Sequence, residues 1–93
     1  MAQFPLSSYP EETFTIPLFG RVYNCKQRWN TLGFWTLDFN DEDGDPIVEG
    51  IKLVTGLDLV KAYPELPFTL RINPVVEPTR DNITKLILEI EPT

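Results

Sequence analysis

The run Phe34-Trp35-Thr36-Leu37-Asp38-Phe39 puts Trp35, Leu37 and Phe39 on one side of an extended chain and Phe34, Thr36 and Asp38 on the other. That period of two is the signature of a half-buried β-strand and is incompatible with a helix. An acidic turn follows, Asn40-Asp41-Glu42-Asp43-Gly44-Asp45-Pro46, and then a second extended run over 47–54. Asp-Gly in the turn supplies the positive backbone angle a reversal needs, so the unit reads as a hairpin. Gly50 interrupts the second run and predicts a bulge or a close backbone approach there.

The same period recurs along the chain. Phe14, Ile16 and Leu18 alternate with Thr13, Thr15 and Pro17; the proline cannot donate to a ladder, which predicts an edge strand or a bulge. Gly20 permits a tight reversal. Tyr23, Cys25, Gln27 and Trp29 then share one face, with Val22, Asn24, Lys26 and Arg28 on the other, and Asn30-Thr31-Leu32-Gly33 closes a second hairpin onto Phe34. Residues 58–63 have the length and caps for one or two helical turns, stopped by Pro64. Phe68, Leu70 and Ile72 mark another strand, ended by Pro74. A last strand is expected over 83–91, with Leu86, Leu88 and Ile90 inward and Ile87 an apolar exception on the outer side. The expected fold is all-β: a small antiparallel β-barrel or sandwich of six to seven short strands with one short helix. Its core is Phe14, Ile16, Leu18, Tyr23, Cys25, Trp29, Trp35, Leu37, Phe39, Leu53, Leu70, Leu86, Leu88 and Ile90. Residues 1–12, rich in Pro and Ser, read as an extended arm, and residues 13–93 as a single β domain.

Ninety-three residues suffice for one core and leave little room for an enclosed active site. The charge of −6 disfavours adhesion to nucleic acid, which needs a basic patch. The one basic cluster, Arg21, Lys26 and Arg28, reads as a solvated face or as partners for the acidic turn. Cys25 stands alone, so no internal disulfide forms, and with no His in the chain it has no base to make it a nucleophile. The acidic turn does not match a calcium loop: placing Gly44 sixth puts Phe39 first. No zinc spacing, phosphate-binding glycine loop or Ser-His-Asp set is present, and the paired carboxylates sit in one turn rather than across a cleft. No catalytic residue, metal site or cofactor is therefore expected. No apolar run is long enough for a membrane helix, and no signal peptide is visible, which fits synthesis in a cytoplasm.

With those residues in place, the chain resembles a family of small tail proteins of contractile-tailed bacteriophages, the cyanophage baseplate plug family. The resemblance is carried by the strand over 13–19 with Gly20, by Tyr23, Arg28-Trp29-Asn30 and Trp35-Thr36-Leu37-Asp38, and by Tyr63. Its strongest part is Asp43-Gly44-Asp45-Pro46-Ile47 followed by Gly50-Ile51-Lys52-Leu53-Val54-Thr55-Gly56-Leu57-Asp58-Leu59. It spans roughly residues 11–72. It implies a non-enzymatic virion protein, made in the host cytoplasm, that sits at the baseplate hub and helps close the tail channel. Its implied partners are tail hub, tube or other baseplate proteins, with neither membrane nor specific nucleic acid among them. A small oligonucleotide-binding-type barrel is the alternative, since Tyr23, Trp29, Phe34 and Trp35 lie among basic residues; a small hydrolase is the third and poorest reading.

Apolar residues that fit no inward face are the expected interface: Phe4, Leu6 and Tyr9 in the arm, with Phe34 and Ile87 on outer faces. Exposed edge strands would offer the same partners unpaired backbone groups.

Overall fold

A computed structural model describes residues 2–92 of the chain; Met1 and Thr93, the outer limits of the expected arm and domain, lie outside the described residues. The described residues form seven strands, β1 (Ala2–Pro5), β2 (Glu11–Leu18), β3 (Arg21–Asn30), β4 (Phe34–Asn40), β5 (Pro46–Lys52), β6 (Phe68–Asn73) and β7 (Ile87–Pro92), with one 3-10 turn at Ile83–Lys85. They pair antiparallel into two sheets, β1-β7-β6 and β2-β3-β4-β5. The sheets do not close on each other, so the fold is sandwich-like rather than a barrel.

The β2–β3 hairpin shows how sequence sets register. Phe19 and Gly20 form a two-residue loop with φ of 50° and 84°. Two successive positive values mark a type I′ turn, whose twist matches that of the flanking strands. Leu18 then pairs with Arg21, and the register runs unbroken to Glu11 opposite Arg28. Tyr23, Cys25 and Gln27 turn inward and are buried, as are Trp35, Leu37 and Phe39 on β4. Leu37 pairs with Ile51 but Phe39 with Val48, so β5 carries an extra residue at Glu49-Gly50, and a second register shift follows where Asn40 pairs with Pro46. Gly50 there has φ of 73°, a conformation side chains resist. The side chain of Asp38 sits in the bulge and accepts a hydrogen bond from the Gly50 N–H at 2.8 Å.

Ile16, Leu18, Tyr23, Trp35 and Phe39 meet Phe68, Leu70, Ile72, Leu88 and Ile90 in one core. Tyr23, Phe39 and Phe68 pack edge-on or tilted, with ring centroids 5.6–5.9 Å apart. Leu53 and Leu86 are also buried in it, while Phe14 and Trp29 are partly buried and pack against it.

Three local expectations fail for physical reasons. Residues 2–5 are a strand rather than part of an arm: Phe4 pairs with Leu88 and Pro5 with Ile87. The pairing closes the exposed side of β7, a long-range contact that no local pattern announces. Residues 58–63 make turns but no helix, because the Asp58 carboxylate accepts from both Val60 N (3.1 Å) and Leu70 N (2.9 Å), tying the segment to β6. Residues 83–85 form the 3-10 turn, and β7 starts only at Ile87. Ile83 is fully buried, and its carbonyl accepts the Leu86 N–H.

Candidate interaction surface

The five residues expected to form the interface divide among several surfaces. Leu6, the residue after β1, is 4% exposed and belongs to the core, contrary to expectation. The Gln27 amide brackets the neighbouring residue, donating to Ser7 O at 2.7 Å and accepting from Ser7 N at 3.1 Å. Phe4, on the same face of the sheet as its β7 partner Leu88, packs against the core and is likewise not a free interface side chain. Tyr9 is 66% exposed. Phe34 lies on the outer face of β4 with the Lys52 ammonium 4.8 Å from its ring centroid. Ile87 is half-buried on the outer face of the other sheet, between Pro5 and Asn73. No single patch gathers these five.

The topology instead separates two ends. At one end lie the connection before β2, the β3–β4 turn and the β6–β7 loop. Trp29 N donates to Pro10 O at 2.8 Å, Trp35 Nε1 donates to Thr79 O at 3.0 Å, and the Arg80 guanidinium stacks 5.5 Å from Trp29 and 6.0 Å from Trp35. This end exposes Tyr9, Leu32, Val75 and Val76, the last three absent from the expected interface. An apolar residue inside a turn (Leu32) and an apolar pair between prolines (Val75-Val76) were the signals available for them. At the other end, the turn 41–45 lies beside the β2–β3 loop across a shallow groove lined by Gly20, Arg21, Val22, Asp41, Glu42 and Asp43. Asp41 folds that turn on itself, its Oδ1 accepting from Asp43 N and Asp45 N at 2.9 Å each. Phe19, half-exposed, leans on Phe68 there.

The outer face of β2–β5 is charged and internally paired. Asp38 is 4% exposed and holds Arg28 through Nη2 at 2.5 Å as well as Gly50. That hydrogen bond, and then the carboxylate's charge, raises the Arg28 guanidinium above its ordinary value. Lys26 reaches Glu11 at 3.7 Å. The basic cluster is thus largely spent on acids of the same face. Cys25 lies beneath this sheet; burial, then the nearby Asp38 charge, pushes its thiol up to about 12. A thiol held protonated in a packed core does no nucleophilic chemistry at neutral pH. Among the described residues no group of three or more His, Cys, Asp or Glu could hold a metal ion, and no helix is long and apolar enough to cross a membrane.

Beside β2 the two sheets part. A cleft of about 330 Å³ opens there, lined by Phe4, Pro5, Leu6, Ser7, Glu12, Phe14, Thr15 and Gln27. Its floor is apolar, and the Glu12 carboxylate at its side accepts from the Ser7 hydroxyl at 2.9 Å.

The family described as cyanophage baseplate Pam3 plug gp18 matches residues 1–88. The chain belongs to that family. Membership covers almost the whole fold, both sheets included up to the start of β7, and it carries a structural role in the phage baseplate, within the virion tail. A comparison with curated proteins finds no match.

Proposed function

We propose that this chain is a structural plug at the baseplate hub, non-enzymatic, which helps close the tail channel through contacts with neighbouring subunits. Family membership supports the baseplate role. The observation that carries the plug reading is the division between the two ends. One end presents Tyr9, Leu32, Val75 and Val76 around a braced Trp-Arg stack, a surface suited to docking against another subunit. The other presents Asp41, Glu42, Asp43 and Asp45, which repel a polyanion. A molecule anchored by the first end and turning the second toward the lumen would occlude the channel without adhering to DNA.

The test is a phage carrying an early stop codon in this reading frame. Wild-type virions are expected to contain the chain at fixed copy number by mass spectrometry, with density closing the tail tip by electron cryomicroscopy. Stop-codon particles are expected to lose that density and to release DNA prematurely or fail to complete the baseplate. Fully infectious particles that lack the chain and retain their DNA would overturn the reading.

A further inference from the structure

Two sheets have four edges, and three of them are blunted. The edge of β6 is covered, with Leu59 N donating to Leu70 O at 2.8 Å and Leu70 N to Asp58 Oδ1. β5 begins at Pro46 and is broken by its bulge, and β1 is four residues ending in Pro5. β2 is eight residues long, and among the described residues no strand pairs with its outer side. The bond from Trp29 N to Pro10 O fixes the parity of the β2–β3 ladder. In register with it, residues 12, 14, 16 and 18 exchange hydrogen bonds with β3, and residues 11, 13, 15 and 17 turn their backbone groups away. Glu11, Thr13 and Thr15 therefore offer both N–H and C=O at the free edge, and Pro17 offers C=O alone. All four are exposed.

A strand laid along this edge would pair with residues 11, 13 and 15. Its residues opposite Phe14 and Glu12 would point inward, into the cleft between β1 and β2. The site opposite Phe14 is bounded by Phe4 and Leu6 and suits an apolar side chain. The site opposite Glu12 faces a carboxylate with no cation in ion-pair range among the described residues, and it suits Lys or Arg.

We propose that the free edge of β2, with this cleft, receives an extended segment of another tail or baseplate protein. The segment carries an apolar side chain opposite Phe14 and, two positions on, a basic one opposite Glu12. The inference rests on the reading of the chain as a docked baseplate subunit and names the chemistry of what docks. Strand addition draws affinity from the main-chain ladder and selectivity from the pockets for alternate side chains. A second copy of this chain is the weaker occupant: it also carries a charge of −6 and leaves Glu12 without a cation.

The experiment uses the full chain and two labelled probes, Thr-Thr-Val-Thr-Lys-Thr and the same peptide with Glu for Lys, read by fluorescence anisotropy. The Lys probe is expected to bind about tenfold more tightly than the Glu probe, as for a close cross-strand charge pair in a partly desolvated site. Thr13→Pro removes an outward N–H at a position equivalent to Pro17, leaves the β2–β3 ladder intact, and is expected to abolish binding, while Thr13→Ala retains it. Glu12→Lys is expected to reverse the preference between probes, which keeps the test decisive should Thr13→Pro unfold. Equal binding of the two probes, undiminished binding by folded Thr13→Pro, absence of binding by either probe, or a concentration-dependent dimer that excludes the Lys probe would each overturn the proposal. Presence of the chain in virions is measured separately. Failure here leaves the plug reading standing, and a chain that binds the probe but is missing from virions overturns only the plug reading.

Discussion

Trp35 is the residue on which the apolar end depends most, and its replacement by Ala gives the sharpest test of the packing. The side chain is fully buried on β4, edge-on to Trp29 at 5.2 Å, with its indole N–H bonded to Thr79 O across 44 residues of sequence. A buried Trp removes about 200 Å² from water, and at ~25 cal/mol/Å² the part lost on truncation to Ala is about 4 kcal/mol. The Thr79 carbonyl loses its donor as well, adding about 1 kcal/mol. The sum, about 4–5 kcal/mol, lies at the upper end of large-to-small core changes and approaches the whole stability of a small domain. With a urea slope of about 1–1.5 kcal/mol/M, the midpoint should fall by about 3 M or more. Trp29 remains as the fluorescence probe. Trp35→Phe, which keeps most of the volume and loses the hydrogen bond, should cost about 1–2 kcal/mol. A Trp35→Ala midpoint within about 0.5 M of the parent would refute the burial and the tie to the 79–80 loop together.

Removing residues 1–9 deletes β1 and the buried Leu6, so the remainder should be unfolded or lose most of its stability by circular dichroism; a native melting curve would show that β1 is dispensable. Phe19→Asn should stabilise by about 0.5–1 kcal/mol, because Asn tolerates φ of 50° in a type I′ turn far better than Phe, and a lower melting temperature would mean that the Phe68 contact outweighs that relief. The Cys25 thiol of the folded chain stays protonated up to about 12, whereas that of the unfolded chain ionises near its ordinary 9.0. Stability present below pH 9.0 should therefore be lost progressively as pH rises toward 12, and Cys25→Ala should show a shallower alkaline loss in parallel melts. Equal pH slopes for the two proteins would refute that linkage.

Where two neighbouring strands determine each other, the sequence was readable. Alternation through β2, β3 and β4, Pro17 on an outer strand and Gly50 at an extra residue are all consequences of side chains and backbone angles within one hairpin, and the structure has them. Partners far apart in the chain were not readable. β1 is a strand only because β7 lies beside it, eighty-odd positions away, and Leu6, which follows it, is buried in the core. Asp58 has the look of a helix cap, yet its oxygen is claimed by Leu70. The candidate site follows the same rule. Tyr9, Phe34 and Ile87 reach the surface, but the cleft and the free edge exist only where two sheets separate, and hydropathy does not encode separation.

Pro17 has a consequence for what happens when many copies crowd together. An open edge that can shift register freely invites endless stacking of like on like, the route to fibres. A ring with no N–H, set two residues before the hairpin loop, denies any sliding guest a full ladder near that end. The strand can thus accept a short visitor in one alignment and still refuse to seed a filament, a distinction that matters wherever subunits are concentrated around a narrow axis.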